Sequence, residues 1–137
     1  MIGLLSLGWR LAAAVPVAFF PGAEIRLTPI IGAAPEVILA NDITETGTEA
    51  PLQFRACFTT PMSQALLTET YRVYDAATPP AADLDCFDTG NIAAALHTGE
   101  AIAFLSEPGI APGIDRVVAV YADGRAYAWH QPTASRE

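Results

Sequence analysis

Apolar and polar positions alternate along most of this chain, and in two stretches the period lengthens from two towards four. Residues 24 to 30, EIRLTPI, set Ile25 and Leu27 against Arg26 and Thr28, as a half-buried strand does. Pro29 confines that strand to a sheet edge. Residues 36 to 43, EVILANDI, are a second extended run, followed by the polar loop TETGTEAP. In the third, residues 52 to 58, Leu52, Phe54, Ala56 and Phe58 share one face and Gln53, Arg55 and Cys57 the other. Thr60 and Pro61 then read as the N-cap and first position of a helix. Met62, Leu66 and Thr70 recur at helical spacing behind them, with Leu67, Tyr71 and Tyr74 alongside.

Two consecutive prolines make DAATPPAADLD a loop. Asp88 and Thr89 can cap a second short helix that carries Ile92, Ala95 and Leu96 and stops at Gly99. Residues 101 to 105 are strand-like, and SEPGIAPG reads as a loop. In RVVAVYADGRAYAWHQ, Asp123 and Gly124 sit between two alternating runs, which predicts a two-residue type I′ hairpin with Ala122 opposite Arg125. That register pairs Val120 with Tyr127 and Val118 with Trp129 on one face. On the other it pairs Tyr121 with Ala126, Ala119 with Ala128 and Val117 with His130. The expected fold is α+β: a mostly antiparallel sheet of five to six strands with two short helices on one face, after an N-terminal hydrophobic segment. Residues 1 to 22 are the anchor or signal, 23 to 131 a single α+β domain, and 132 to 137 a disordered tail.

Residues 2 to 20 are apolar except for Ser6 and Arg10, and Pro21 and Gly22 close the run. The length suits a bilayer span of about 20 residues. Arg10 and Pro16 suit it less well, the first costing about 2.5 to 3.5 kcal/mol on the insertion scale. The ten residues from 11 to 20 also have the length of a signal-peptide core, though no small-x-small cleavage site follows. An uncleaved anchor in the inner membrane, with the domain in the periplasm, is the expectation. A cleaved signal and a core helix are the alternatives.

Composition narrows the function classes. The charged fraction of 16% is low for a soluble chain and the apolar fraction of 52% slightly high, which excludes disorder and suits a membrane-associated protein. Net charge is -8, and the seven basic residues are scattered arginines. Such a chain has no footprint for a phosphate backbone, so nucleic acid is excluded as a partner.

Cys57 and Cys86 are the two cysteines. Outside the cytoplasm they can pair as a disulfide, worth about 3 to 4 kcal/mol in the chain-entropy model; in a reducing compartment they remain two separate thiols. A redox CxxC is absent, and Cys57 lies three residues before the expected N-cap, too far for a helix dipole to make it a nucleophile. His97 and His130 form no ligand-spaced pair with them or with each other, so neither a metal nor any other cofactor is expected. Asp83, Asp85 and Asp88 read as a solvated loop with a helix cap.

Three strings, LQFRACFTTPMSQALLTETY, FDTGNIAAAL and GIDRVVAVYADGRAYAWHQ, together resemble a small alphaproteobacterial family of uncharacterised proteins. The resemblance covers most of residues 24 to 131. It implies a single N-terminal membrane span and an extracytoplasmic domain, and it assigns no catalytic role to any residue. The family pattern begins with a cleaner span and runs past AWHQ into a cysteine-containing, proline-rich tail, so no second disulfide is expected here.

The leading expectation is a non-enzymatic, membrane-tethered accessory or interaction domain that meets a membrane or periplasmic protein through exposed apolar and aromatic surface. The alternative is a small-ligand-binding or weakly hydrolytic domain. It would use Arg55, Arg116, Arg125, Tyr127 and His130, and it requires those five to converge on one pocket at one end of the sheet.

Overall fold

Val117, Val118, Val120, Tyr121, Tyr127 and Trp129 fall close together, and there the chain builds the middle of its sheet. The computed structural model describes residues 23 to 32 and 34 to 133. A two-stranded ribbon, β1 (Ile25–Leu27) with β2 (Glu36–Ile38), is followed by β3 (Asn41–Thr46), a 3-10 turn (Pro51–Gln53) and β4 (Arg55–Thr59). Helices α1 (Gln64–Thr70) and α2 (Thr89–Thr98) come next, then β5 (Ala101–Ala111), β6 (Ile114–Tyr121) and β7 (Arg125–Pro132). The five longer strands form one sheet in the order β3-β4-β7-β6-β5, with every neighbouring pair antiparallel. The α+β class and the antiparallel sheet are as expected. The hydrophobic segment of residues 1 to 22 and the tail residues 134 to 137 lie outside the described residues. Thr133 is tied down, its N–H donating to the Gly113 carbonyl at 2.8 Å.

The β6–β7 hairpin departs from expectation by one residue. Its loop has three residues, Ala122, Asp123 and Gly124, and the register pairs Val120 with Ala126, Val118 with Ala128 and Val117 with Trp129. The Gly124 N–H donates to the Tyr121 carbonyl at 3.0 Å, and Gly124 closes the turn at φ +95°. Two contacts favour this geometry over a type I′ turn. The Asp123 carboxylate accepts the Arg125 N–H at 3.1 Å, and the Gly124 carbonyl accepts the Thr60 N–H at 2.9 Å.

That shift rearranges the core, because moving a strand by one residue changes which side chains share a face. One face carries Val118, Val120, Ala126, Ala128, Phe58 and Phe104, covered by Ile25, Leu27 and Ile38 of the ribbon and Leu67 of α1. The other carries Val117, Ala119, Tyr121, Trp129 and Ala103, covered by Phe87 and by Ile92 and Ala95 of α2. Both faces are apolar, so each needs its own cover. The helices, expected on one face, therefore lie on opposite faces.

Local corrections follow the same logic of satisfied backbone groups. Helix α1 is capped by Ser63, whose Oγ accepts the Leu66 N–H at 3.1 Å, and not by Thr60, whose hydroxyl accepts from Met62 at 3.2 Å. Leu66 consequently faces solvent and Leu67 the core. The run EVILANDI divides between the ribbon and the sheet, with Asp42 at φ 56° beside a register shift in β3. Most of SEPGIAPG continues β5 through two irregularities. Helix α2 has the expected ends: the Asp88 carboxylate accepts the Asn91 N–H at 3.0 Å, and Gly99 closes it in the left-handed conformation.

Candidate functional site

Cys57 on β4 and Cys86 just before α2 form a disulfide, with 6.4 Å between their Cα atoms. The bond pins a strap, residues 75 to 88, across the second face of the sheet. Prolines 79 and 80 keep that strap extended, so side chains must supply the hydrogen bonds that a helix would make for itself. Gln131 does most of this: Oε1 accepts the Thr78 N–H at 2.9 Å and the Trp129 Nε1–H at 2.8 Å, while Nε2 donates to the Ala76 carbonyl at 3.0 Å. The Arg55 Nε–H donates to the Ala81 carbonyl at 2.9 Å. Phe87 packs edge-on to Tyr127 and Trp129, with ring centroids 5.9 and 6.1 Å away. Cys57 is thus a staple within an assembled layer.

Of the five side chains considered for ligand binding, the structure brings Arg116 and His130 together. Register sets them side by side on one face, where the Arg116 Nε–H donates to His130 Nε2 at 2.9 Å. Because a guanidinium only donates, the imidazole proton sits on Nδ1, which reaches the Pro51 carbonyl at 2.5 Å. Phe54 stacks on the imidazole, ring centroids 4.5 Å apart, and the Arg116 guanidinium lies 4.2 Å from the same Phe54 centroid. Burial pushes the His130 pKa down to about 4; the Pro51 hydrogen bond opposes this, and the charges of Arg116 and Arg55 add to it. Burial likewise lowers the Arg116 pKa, with Glu107, 3.8 Å away, and Glu45 acting against it. Both ring nitrogens of His130 are engaged, so this imidazole is held neutral and fixed.

The other three lie on the opposite face. Arg55 is spent on backbone carbonyls, those of Leu52 and Phe54 as well as Ala81. Arg125 pairs with Asp123 at 2.9 Å beside the hairpin loop and covers the Tyr121 ring at 4.3 Å. Tyr127 packs against Phe87 and Tyr121. A pocket of about 560 Å³ does touch Arg55, with Thr46, Gln53 and Asp83 around it, and none of the other four lines it.

In the sequence Asp115 reads with Arg116 as a local charge pair at a strand entry; in the structure it is a buried carboxylate. Asp115, 4% exposed, accepts from the Tyr74 hydroxyl at 3.0 Å, the Gly109 N–H at 2.9 Å and the Thr133 hydroxyl at 3.1 Å. It belongs to the lining of a cleft of about 640 Å³ that also includes Arg72 and Asp75. The period-two parity of DRVVAVY, which puts Asp115 on the face of Val117, Ala119 and Tyr121, was the available signal. Three donors from three segments make it a clamp that joins β5, Tyr74 just before the strap and Thr133 just after β7.

Among the described residues, no group of three or more His, Cys, Asp or Glu side chains is placed to hold a metal ion. No helix among them is long and apolar enough to cross a membrane.

The feature least explained by folding is apolar surface. Ile30, Ile31, Val37 and Leu39 are 47%, 89%, 52% and 66% exposed. Ile30 and Ile31 belong to the turn that joins the ribbon strands, Val37 to β2, and Leu39 directly follows β2. In the ribbon Ile25, Leu27 and Ile38 are buried against the sheet and Arg26 and its partner Val37 face away, while Glu36, opposite Leu27, is exposed. Leu52, Leu66 and Val73 are exposed elsewhere.

No curated protein and no solved structure matches this chain. A family model does, over residues 25–137, which takes in every strand and helix described above. The chain belongs to a family of unknown function, DUF6446.

Proposed function

We propose that this protein is a non-enzymatic accessory domain, tethered to the inner membrane through residues 2 to 20 and working in the periplasm as an interaction module for a membrane or periplasmic protein. The Cys57–Cys86 disulfide is the observation that carries this reading, because such a cross-link persists in oxidising compartments and is rare in the cytosol. Exposed apolar side chains on a strongly acidic domain support it, since they are what a partner would cover. The ionisable groups best placed by the fold, His130, Arg116 and Asp115, are held in fixed hydrogen bonds, an arrangement suited to architecture.

The test is the native protein itself. Its intact mass, measured before and after reduction, is expected to include residues 1 to 22 and to rise by two hydrogens. Cell fractionation is expected to place it in the membrane pellet, and protease added to spheroplasts to digest it. A reduced, soluble protein that survives protease until the inner membrane is broken overturns the reading.

A further inference from the structure

We propose that the outer face of the β1–β2 ribbon lies against the lipid bilayer, so that Ile31, Val37 and Leu39 rest in its interfacial layer. This rests on the tethering of residues 2 to 20 proposed above and goes beyond it by giving the domain an orientation.

The first observation is where the apolar segment ends. Five residue steps separate Phe20 from Ile25, at most about 18 Å of extended chain. The headgroup region adds only about 5 to 8 Å on each side of the hydrocarbon. A span that ends at Phe20 therefore holds β1 within a few residues' reach of the membrane surface.

The second is the chemistry of the ribbon. From residue 30 to residue 40 the chain reads IIGAAPEVILA, in which Glu36 is the only ionisable side chain, and the Tyr71 hydroxyl donates to that carboxylate at 3.3 Å. Exposed turns are ordinarily built from polar residues, and Ile31 is nine-tenths exposed in this one. On the outer face Arg26 and Glu24 pair at 2.9 Å, so the charges beside Val37 cancel, while Glu36 and Glu69 border the turn at Ile30 and Ile31. A face whose own strand charges cancel can enter an interface that the acidic remainder of the domain would avoid.

The third is position in the fold. Ribbon and α2 lie on opposite sides of the sheet, so a ribbon on the membrane directs α2 and the strap into the periplasm. The surface left for a protein partner then includes Leu52 and Val73.

The experiment places a single thiol-reactive, polarity-sensitive fluorophore on the full chain, reconstituted in phosphatidylcholine vesicles. Cys57 and Cys86 stay paired, so Ile31→Cys and Val37→Cys give ribbon labels, and Ala94→Cys gives a control on the exposed side of α2. The expected result is a blue-shifted emission for both ribbon labels, lost on addition of lipids that carry a quencher in the acyl chain, with the Ala94→Cys label unchanged. Vesicle flotation of the same samples separates the two readings. Flotation with ribbon labels that remain in water overturns the orientation, leaves the tether standing and assigns the ribbon face to a protein. Failure to float overturns both.

Discussion

His130 shows how a single side chain can be committed by its surroundings. Folded, it titrates at about 4, against about 6.5 for an unfolded chain. Between those values the unfolded state holds more protons, so stability rises with pH across that window. Above about 6.5 the imidazole contributes no penalty; as pH falls towards about 4 the penalty grows, then levels off below it. Protonation would also put a hydrogen on Nε2, where Arg116 now donates. We expect urea denaturation to show His130→Gln with a shallower loss of stability than wild type between pH 6.5 and 4.5, and parallel curves for the two proteins would contradict this. Glycine offers a second test at this scale. Gly99 and Gly47 both have positive φ, but a Cβ on Gly99 meets nothing within 4 Å, whereas one on Gly47 would lie 1.9 Å from the Gln53 carbonyl oxygen. Gly99→Ala is expected to cost about 1 to 2 kcal/mol, the left-handed penalty alone. Gly47→Ala must in addition move the turn Pro51–Gln53, whose Pro51 carbonyl faces His130. Its denaturation midpoint is expected to fall further than that of Gly99→Ala, and equal midpoints would show that the turn yields without cost.

Elements were legible in the sequence where a local rule had no competitor. Helix α2 is the clearest case, with Asp88 at one end and Gly99 at the other supplying both caps within one stretch. Its dependence on that chemistry is testable: Asp88→Ala should cost about 0.5 to 2 kcal/mol in thermal or urea unfolding, Asp88→Asn much less, since both Asp and Asn accept from an N2 or N3 amide. Equal losses for the two variants would mean that the carboxylate charge, and not the cap, matters. The hairpin was misread because Asp123 and Gly124 fit a two-residue turn as well as the end of a three-residue one. The contact that decides between them, Gly124 to Thr60, joins positions far apart in sequence. The placement of the helices went wrong for the same reason: the face of a strand is readable from parity, but which face meets which helix depends on pairing. The clamps at Asp115 and Gln131 were not legible because their partners are remote in sequence: Tyr74 accompanies an expected helix, Ala76 and Thr78 lie in an expected loop, and Thr133 in an expected tail. Cysteine pairing was readable as a possibility, since spacing permits it and only the fold brings the sulfurs together.

At the scale of the molecule, the sheet separates two cores that are held in different ways. The ribbon side is a continuous apolar cluster that includes Ile25, Leu27, Ile38, Leu67 and Phe104, and backbone bonds close it, Thr28 to Leu105 at 3.0 Å and Arg72 to Thr28 at 2.9 Å among them. On the strap side, residues 75 to 88 contain little regular structure and hold their place through Phe87, the Gln131 amide, Arg55 and the disulfide. Closing the loop between Cys57 and Cys86, 29 positions apart, is worth about 3 to 4 kcal/mol in the chain-entropy model, a large share of the roughly 5 to 15 kcal/mol typical of a whole domain. Reduction should therefore act unevenly. With Cys86 released, the strap loses its covalent anchor and is held by Phe87 against Trp129 and Tyr127 and by the side-chain hydrogen bonds of Gln131 and Arg55. Hydrogen exchange on the full chain, oxidised and reduced, is expected to accelerate at the amides of residues 75 to 88 and in the first turn of α2, which begins three residues after Cys86. The ribbon, α1 and the centre of β6 are expected to keep the protection they have when oxidised, because none of their hydrogen bonds passes through the strap. Uniform acceleration on both sides of the sheet would mean that the two cores open as one unit and that the disulfide stabilises the domain globally.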